Sequence, residues 1–116
     1  MTGDLGGGKT QLTKGIALGL GIPDPITSPT FIYENIYQGE KLKLFHFDLY
    51  RSDIVDEDVK DLMLEAFDDQ DGVTIVEWAE RAKKYWPQKY YHFNFLWLDE
   101  NKRSIEELSS NKGLLE

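Results

Sequence analysis

Lys9 and Thr10 close the run GDLGGGKT at residues 3–10, whose spacing G-x-x-x-x-G-K-[ST] suits a loop wrapped around phosphate. Glycines let such a backbone turn its N–H groups inward around the β- and γ-phosphates of a nucleotide. A helix opening at Lys9 adds the partial positive charge of its N-terminus. Lys9 supplies a mobile full charge, and the Thr10 hydroxyl is of the type that ligates magnesium in these loops. With glycine at about 7% of average usage, a chance match in a chain of this length is on the order of one in a hundred. The run is therefore read as a nucleotide site rather than as a flexible linker. Its candidate binding residues are Gly3, Asp4, Leu5, Gly6, Gly7, Gly8, Lys9, Thr10 and Gln11.

A phosphate loop does not name a reaction, so the acids able to hold magnesium or orient a water come next. Glu77 closes the apolar run Val73-Thr74-Ile75-Val76, where a strand-end carboxylate would face the ligand crevice of an open α/β sheet. A solvated strand-end acid fits that pattern equally well. Asp48 interrupts His46-Phe47-Asp48-Leu49-Tyr50-Arg51, and pattern alone favours a structural pair with Arg51. Thr27-Ser28-Pro29-Thr30 carries hydroxyls on a proline-stiffened loop suited to closing on a γ-phosphate or its magnesium, although an ST-turn is their commoner use. His46 and His92 have no second His or Cys at ligand spacing, which argues against structural zinc. Trp78, Trp86 and Trp97 read as core or edge residues rather than as a base-stacking platform.

The elements that must hold these groups follow from periodicity. Leu12, Ile16, Ala17 and Leu20 give a helix from Lys9 to Leu20, stopped by Gly19, Gly21 and Pro23. Residues 31–37 and 42–49 read as a β-hairpin around Gln38-Gly39-Glu40. Val59, Leu62, Met63 and Ala66 or Phe67 predict an amphipathic helix from Asp56 to Phe67. Residues 73–76 form a buried strand, Glu80 to Tyr85 a short helix ended by Pro87, and residues 90–98 with 103–108 a second hairpin. The expected fold is α/β and P-loop NTPase-like: three layers, a central mainly parallel sheet, and added antiparallel hairpins. A single domain is expected over residues 1–116, folded to 108 with a frayed tail at 109–116.

Composition sets the outer bounds. The 116 residues suffice for one core, and a net charge of −8 weighs against a surface that grips nucleic acid directly. A nest of backbone N–H groups, one lysine and one magnesium ion still hold a nucleotide whatever the overall charge. The absence of cysteine excludes disulfides and thiolate chemistry. No apolar run is long enough to span a bilayer, and residues 1–4 lack the pattern of a signal peptide, so a cytoplasmic protein is expected.

Four segments in order, GDLGGGKT, TSPTF at 27–31, HFDLYR at 46–51 and VEWAER at 76–81, resemble the TsaE (YjeE) family across most of the chain. The resemblance implies a bacterial ATPase of tRNA threonylcarbamoyladenosine synthesis that acts with the TsaB and TsaD proteins. It implies binding of ATP or ADP with Mg2+, slow hydrolysis, and contact with tRNA only through the complex, with no membrane or DNA partner. Residue by residue, it implies that Lys9 and the loop from Gly3 to Gly8 hold phosphates and that Thr30 is a switch-like residue at the nucleotide. It further implies that Thr10, Glu77 and Asp48 serve the metal, and that Lys9, Glu77 and Asp48 form the catalytic set, with Trp78 beside the acid. Asp48 is thereby raised above the structural-pair reading.

Two features depart from the family. Only Met1 and Thr2 precede Gly3, so the buried strand that should lead into the loop, and a helix before it, are expected to be missing, since an ordinary strand needs about five residues. The hypothesis that follows is a misassigned start or truncation boundary at Met1; a native transcript with no coding sequence upstream would overturn it. Gln11 stands where the family often carries Thr or another small residue. Two alternatives differ in class. A P-loop kinase would consume ATP only with an acceptor present and is disfavoured by the scarcity of arginine, at 51, 81 and 103. An inactive interaction module would co-purify with its partners without turnover.

Overall fold

The computed structural model describes residues 1–3, 9–27, 34–49, 57–100 and 102–108. The first helix, α1 (Lys9–Gly19), ends as its glycines dictate. Gly21 takes φ +73°, its N–H bonds Leu18 O at 3.1 Å, and the Ile22 N–H bonds Ala17 O at 3.1 Å. This is the paired closure of a Schellman ending, with Ile22 and Ala17 meeting in the core as its hydrophobic contact. The residues that α1 buries most deeply are Lys9, Thr13 and Ala17, one turn apart, whereas Leu12 and Ile16 are only half-buried. The inward stripe is therefore partly polar, because it must present groups to a site as well as to a core.

β2 (Glu34–Gln38) and β3 (Lys43–Asp48) pair antiparallel as the expected hairpin. β4 (Gly72–Glu77) then returns parallel to β3 in a register that sets Asp48 beside Glu77 and His46 beside Ile75. The crossover between them carries α2 (Glu57–Asp68), whose buried Val59, Met63 and Ala66 recur at helical spacing. Strand alternation sorts the two faces. Phe45 and Phe47 of β3, with Leu49 just beyond it, pack with α2, while Leu44 and Ile75 pack with Ala17 of α1 and with Ile22. Helices thus cover both faces of the β2-β3-β4 sheet, giving three layers.

A second three-stranded sheet holds β1 (Thr2–Gly3), β5 (Phe93–Asp99) and β6 (Lys102–Glu107) in the order β1-β5-β6. β5 and β6 are the second expected hairpin, and β1 runs parallel to β5. Met1 stitches the sheets together: its amine donates to Val76 O at 2.6 Å, and its carbonyl accepts the Ala79 N–H at 3.1 Å. Between β4 and β5, a 3₁₀ segment (Ala79–Tyr85) breaks at Ala82 and is closed by the Trp86 indole N–H on Ala79 O at 2.9 Å.

Two expectations are corrected. The strand leading into the glycine loop is present as Thr2–Gly3, because backbone pairing with Asn94 and Phe95 fixes even two residues; the helix expected to be missing concerns no described residue. The sheet is mixed rather than mainly parallel: β3–β4 and β1–β5 are parallel, while β2–β3 and β5–β6 are antiparallel. Each hairpin contributes one antiparallel ladder, and among the described residues β1 pairs with β5. Among the described residues, no helix is long and apolar enough to cross a membrane.

Candidate functional site

The carboxyl ends of β3 and β4, the start of α1 and the stub β1 converge on one place. Glu77 ends β4 and is 2% exposed, yet its carboxylate is well supplied with donors. The Thr10 hydroxyl donates to Oε1 at 3.1 Å, the Thr13 hydroxyl lies 3.3 Å from Oε2, and His46 Nε2 contacts Oε2 at 2.5 Å. A buried carboxylate is tolerable on these terms, since hydrogen bonds replace the water it has lost. His46 is wholly buried, and its Nδ1 has no hydrogen-bond partner among the described residues. In the tautomer protonated at Nε2, the ring donates to the Glu77 carboxylate.

Lys9 is 5% exposed, and its ammonium donates to Gly3 O at 2.7 Å. The same ammonium lies 3.9 Å from the centre of the Trp78 ring, a cation–π contact on its second side. Trp78 reaches that position through a left-handed backbone, φ 58° and ψ 40°, rare for a bulky residue. Its cost, on the order of 1–3 kcal/mol, is of the kind that concentrates where geometry serves a purpose. Gly3 at φ +113° allows no substitute, because a Cβ there would sit 2.0 Å from Phe95 O. Its N–H donates to Glu80 Oε2 at 3.2 Å. Below it, the Thr2 hydroxyl donates to Asn94 Oδ1 at 2.7 Å and so accepts from His92 Nε2 at 2.8 Å.

Burial pushes the Met1 amine down to about 6, against the pull of Glu80 and Glu77, with Lys9 lowering it further. The first turn of α1 has no acid of its own, and the carboxylate beside its start is that of Glu77.

Gly3, Lys9, Thr10 and Glu77 are thus brought together. Asp48 stands one strand away, half-buried and in register with Glu77. Gln11 is exposed on α1. Asp4, Leu5, Gly6, Gly7, Gly8 and Thr30 lie outside the described residues, as does Arg51, the partner considered for Asp48. His46 and Thr13 were not singled out from the sequence as site residues. The signal for His46 was a polar ring inside an apolar strand, two residues before Asp48 and so on the same face. For Thr13 it was the spacing of four from Lys9.

The donor set has the chemistry that magnesium takes. Mg2+ takes hard oxygen ligands and keeps several waters, and the Thr10 hydroxyl beside the Glu77 carboxylate is such a pair. Among the described residues there is no group of three or more His, Cys, Asp or Glu placed to hold a metal. A metal here would therefore complete its shell with water and phosphate oxygens. The residues fit magnesium on those terms.

A family model described as "Threonylcarbamoyl adenosine biosynthesis protein TsaE" matches residues 1–105. The chain belongs to the TsaE family. The resemblance carried by the four motifs is borne out over most of the sequence. A Nostoc protein named tRNA threonylcarbamoyladenosine biosynthesis protein TsaE is 38% identical over 110 residues, covering 91% of this chain and 66% of its own length. A Bacillus subtilis TsaE is 42% identical over 89 residues, covering 77% of this chain and 54% of that relative. The crystal structure of Bacillus subtilis YdiB aligns with a TM-score of 0.70 at 33% identity, over 97% of this chain and 67% of that one. This TsaE chain spans between 54% and 66% of the length of those two curated relatives.

Proposed function

We propose that this TsaE-family chain is a P-loop NTPase-like domain that binds ATP or ADP with magnesium and hydrolyses ATP. Its setting in this proposal is tRNA threonylcarbamoyladenosine synthesis in the cytoplasm, acting with TsaB and TsaD and meeting tRNA only through them. The observation that carries the reading is the hydrogen bond from Thr10 Oγ1 to the buried Glu77 carboxylate, beside the Lys9 ammonium at the start of α1. Pathway and partners rest on the family alone.

In this mechanism the Lys9 ammonium and the N-terminus of α1 neutralise the β- and γ-phosphates. Lys9 exchanges its bond to Gly3 O for one to phosphate oxygen, and the Trp78 ring keeps the ammonium at the crevice. Magnesium, when bound, offsets charge on the phosphate oxygens. Glu77 has donors on both oxygens and little exposure, which suits it to orienting Thr10 and the metal's water shell. Asp48 is half-buried at the same level of the neighbouring strand, which suits it to orienting the water that attacks the γ-phosphorus.

The test is magnesium-dependent binding of a fluorescent ADP or ATP analogue, with Lys9→Ala alongside. Saturable binding weakened by at least tenfold in the variant is expected, since one charge-assisted phosphate contact amounts to about 1.5–3 kcal/mol. Undiminished affinity in Lys9→Ala would refute the reading. Phosphate release without any acceptor separates hydrolysis from kinase activity, and its absence in the presence of TsaB and TsaD would leave only an interaction module.

A further inference from the structure

The two oxygens of Glu77 are held unequally. Oε1 receives Thr10, which is half-buried at the start of α1, and Oε2 is held from inside the core by Thr13 and His46, both 0% exposed. Thr13 has a single hydroxyl hydrogen and three acceptors within reach: Lys9 O at 3.1 Å, Glu77 Oε2 at 3.3 Å and Met1 Sδ at 3.8 Å. The helix carbonyl is the nearest, so Thr13 is a divided donor. In the tautomer protonated at Nε2, the ring N–H of His46 has one acceptor among the described residues, Oε2, and the ring stands on β3 two residues before Asp48. The last torsion of a glutamate is broad, so the donors around its carboxylate set its angle. Of the two donors at Oε2, the imidazole is the undivided one.

Packing does not account for a histidine here. Leu44, the neighbouring residue on the same face of β3, is an ordinary apolar core residue. A wholly buried imidazole whose Nδ1 lacks a partner among the described residues is less favourable in a core than leucine would be. We propose that His46 is a positioning residue, which locks Oε2 of Glu77 so that Oε1 presents to Thr10 and to the magnesium side of the site. The proposal rests on the magnesium-nucleotide reading above. It assigns β3 two jobs, since one face of one strand carries both Asp48 and the residue that orients Glu77.

The test compares His46→Gln, which can return an N–H near the place of Nε2, with His46→Asn, whose amide falls short at Nδ1, and His46→Leu. The full chain is used, and ADP affinity is measured with and without magnesium, alongside melting temperature. In the parent, magnesium tightens ADP binding. In His46→Leu and His46→Asn that tightening falls by about tenfold or more, as for other groups that orient metal-side ligands. Affinity without magnesium holds, and His46→Gln recovers the tightening to within about threefold. A second readout needs no nucleotide or metal: the ring 15N spectrum of His46 shows a protonated Nε2 that shifts in Glu77→Gln. A His46→Leu protein with the parent's magnesium response overturns the proposal. So does an equal loss in all three variants that tracks melting temperature, which is the mark of a purely structural role. If His46→Leu does not fold, Gln against Asn decides. A parent indifferent to magnesium sinks the magnesium reading and this proposal with it, whereas a responsive parent with an equally responsive His46→Leu sinks only the role of His46.

Discussion

Asp48 and Glu77 are the same kind of acid at the same level of adjacent strands, yet their surroundings divide them. Glu77 is sealed at 2% exposure with Thr10, Thr13 and His46 around its carboxylate, while Asp48 retains contact with solvent. Burial and donor count decide which acid can approach a water and which is committed to holding neighbours. Asp48→Asn is therefore expected to leave magnesium-ADP affinity within about threefold while lowering ATP turnover by about 10²-fold or more. Single-turnover phosphate release against equilibrium binding checks the split, and equal loss in both would argue that Asp48 serves binding. Glu77→Ala takes the acceptor from Thr10 and from the wholly buried His46 ring, while Thr13 keeps Lys9 O, so its loss of turnover is expected to come with loss of stability. A melting temperature unchanged from the parent would contradict the hydrogen-bond pattern described.

At the scale of elements, the stub β1 matters more than its length suggests. Its two residues pair with β5, Gly3 O receives Lys9, and Met1 before it ties β4 to the 3₁₀ segment. Gly3 is the pivot, since both its φ of +113° and the 2.0 Å approach of Phe95 O forbid a side chain. Gly3→Ala is expected to destabilise the protein by about 1–3 kcal/mol through strain at that dihedral and contact with a backbone atom that no rotamer can relieve. A urea midpoint within error of the parent would show that the pairing of β1 with β5 is dispensable. The remaining elements follow ordinary rules: α1 closes on Gly21, and α2 buries Val59, Met63 and Ala66.

At the scale of the 116-residue chain, the junction of the two sheets holds a buried titratable group, the Met1 amine. The Met1 amine is held down to about 6 by burial, from an ordinary value of 8.0. Between those values the unfolded chain binds the proton and the folded chain does not, so stability rises with pH through this window. Below about 6 both states are protonated and the folded state carries the whole desolvation penalty; above about 8 neither is, and the penalty is gone. Two pKa units at ~1.36 kcal/mol each set an upper limit of ~2.7 kcal/mol, reduced by the partial exposure of the amine. Melting curves of the 116-residue chain with a free Met1 amine are expected to shift upward from pH 6 to 8. N-terminal acetylation, which keeps a donor for Val76 O but removes the charge, is expected to flatten that change. An acetylated protein with the same pH slope would assign the effect elsewhere.

What the residues determined without tertiary structure is what local chemistry encodes. Helical periodicity in α1 and α2, the two hairpins and the apolar run ending at Glu77 depend on near neighbours, and they emerged at or close to their expected bounds. So did family membership, because ordered motifs survive in the chain as text. Three matters were settled only by packing. Pairing with β5 made a strand of Thr2 and Gly3, which no local propensity signals in two residues. The β3–β4 register joined His46 to Glu77 across 31 positions of sequence. Crossover topology set Asp48 and Glu77 side by side in different degrees of burial. Spacing along a chain lists the groups able to do chemistry; burial and the contacts between distant segments decide which group does what, because a carboxylate's role depends on the water and donors around it.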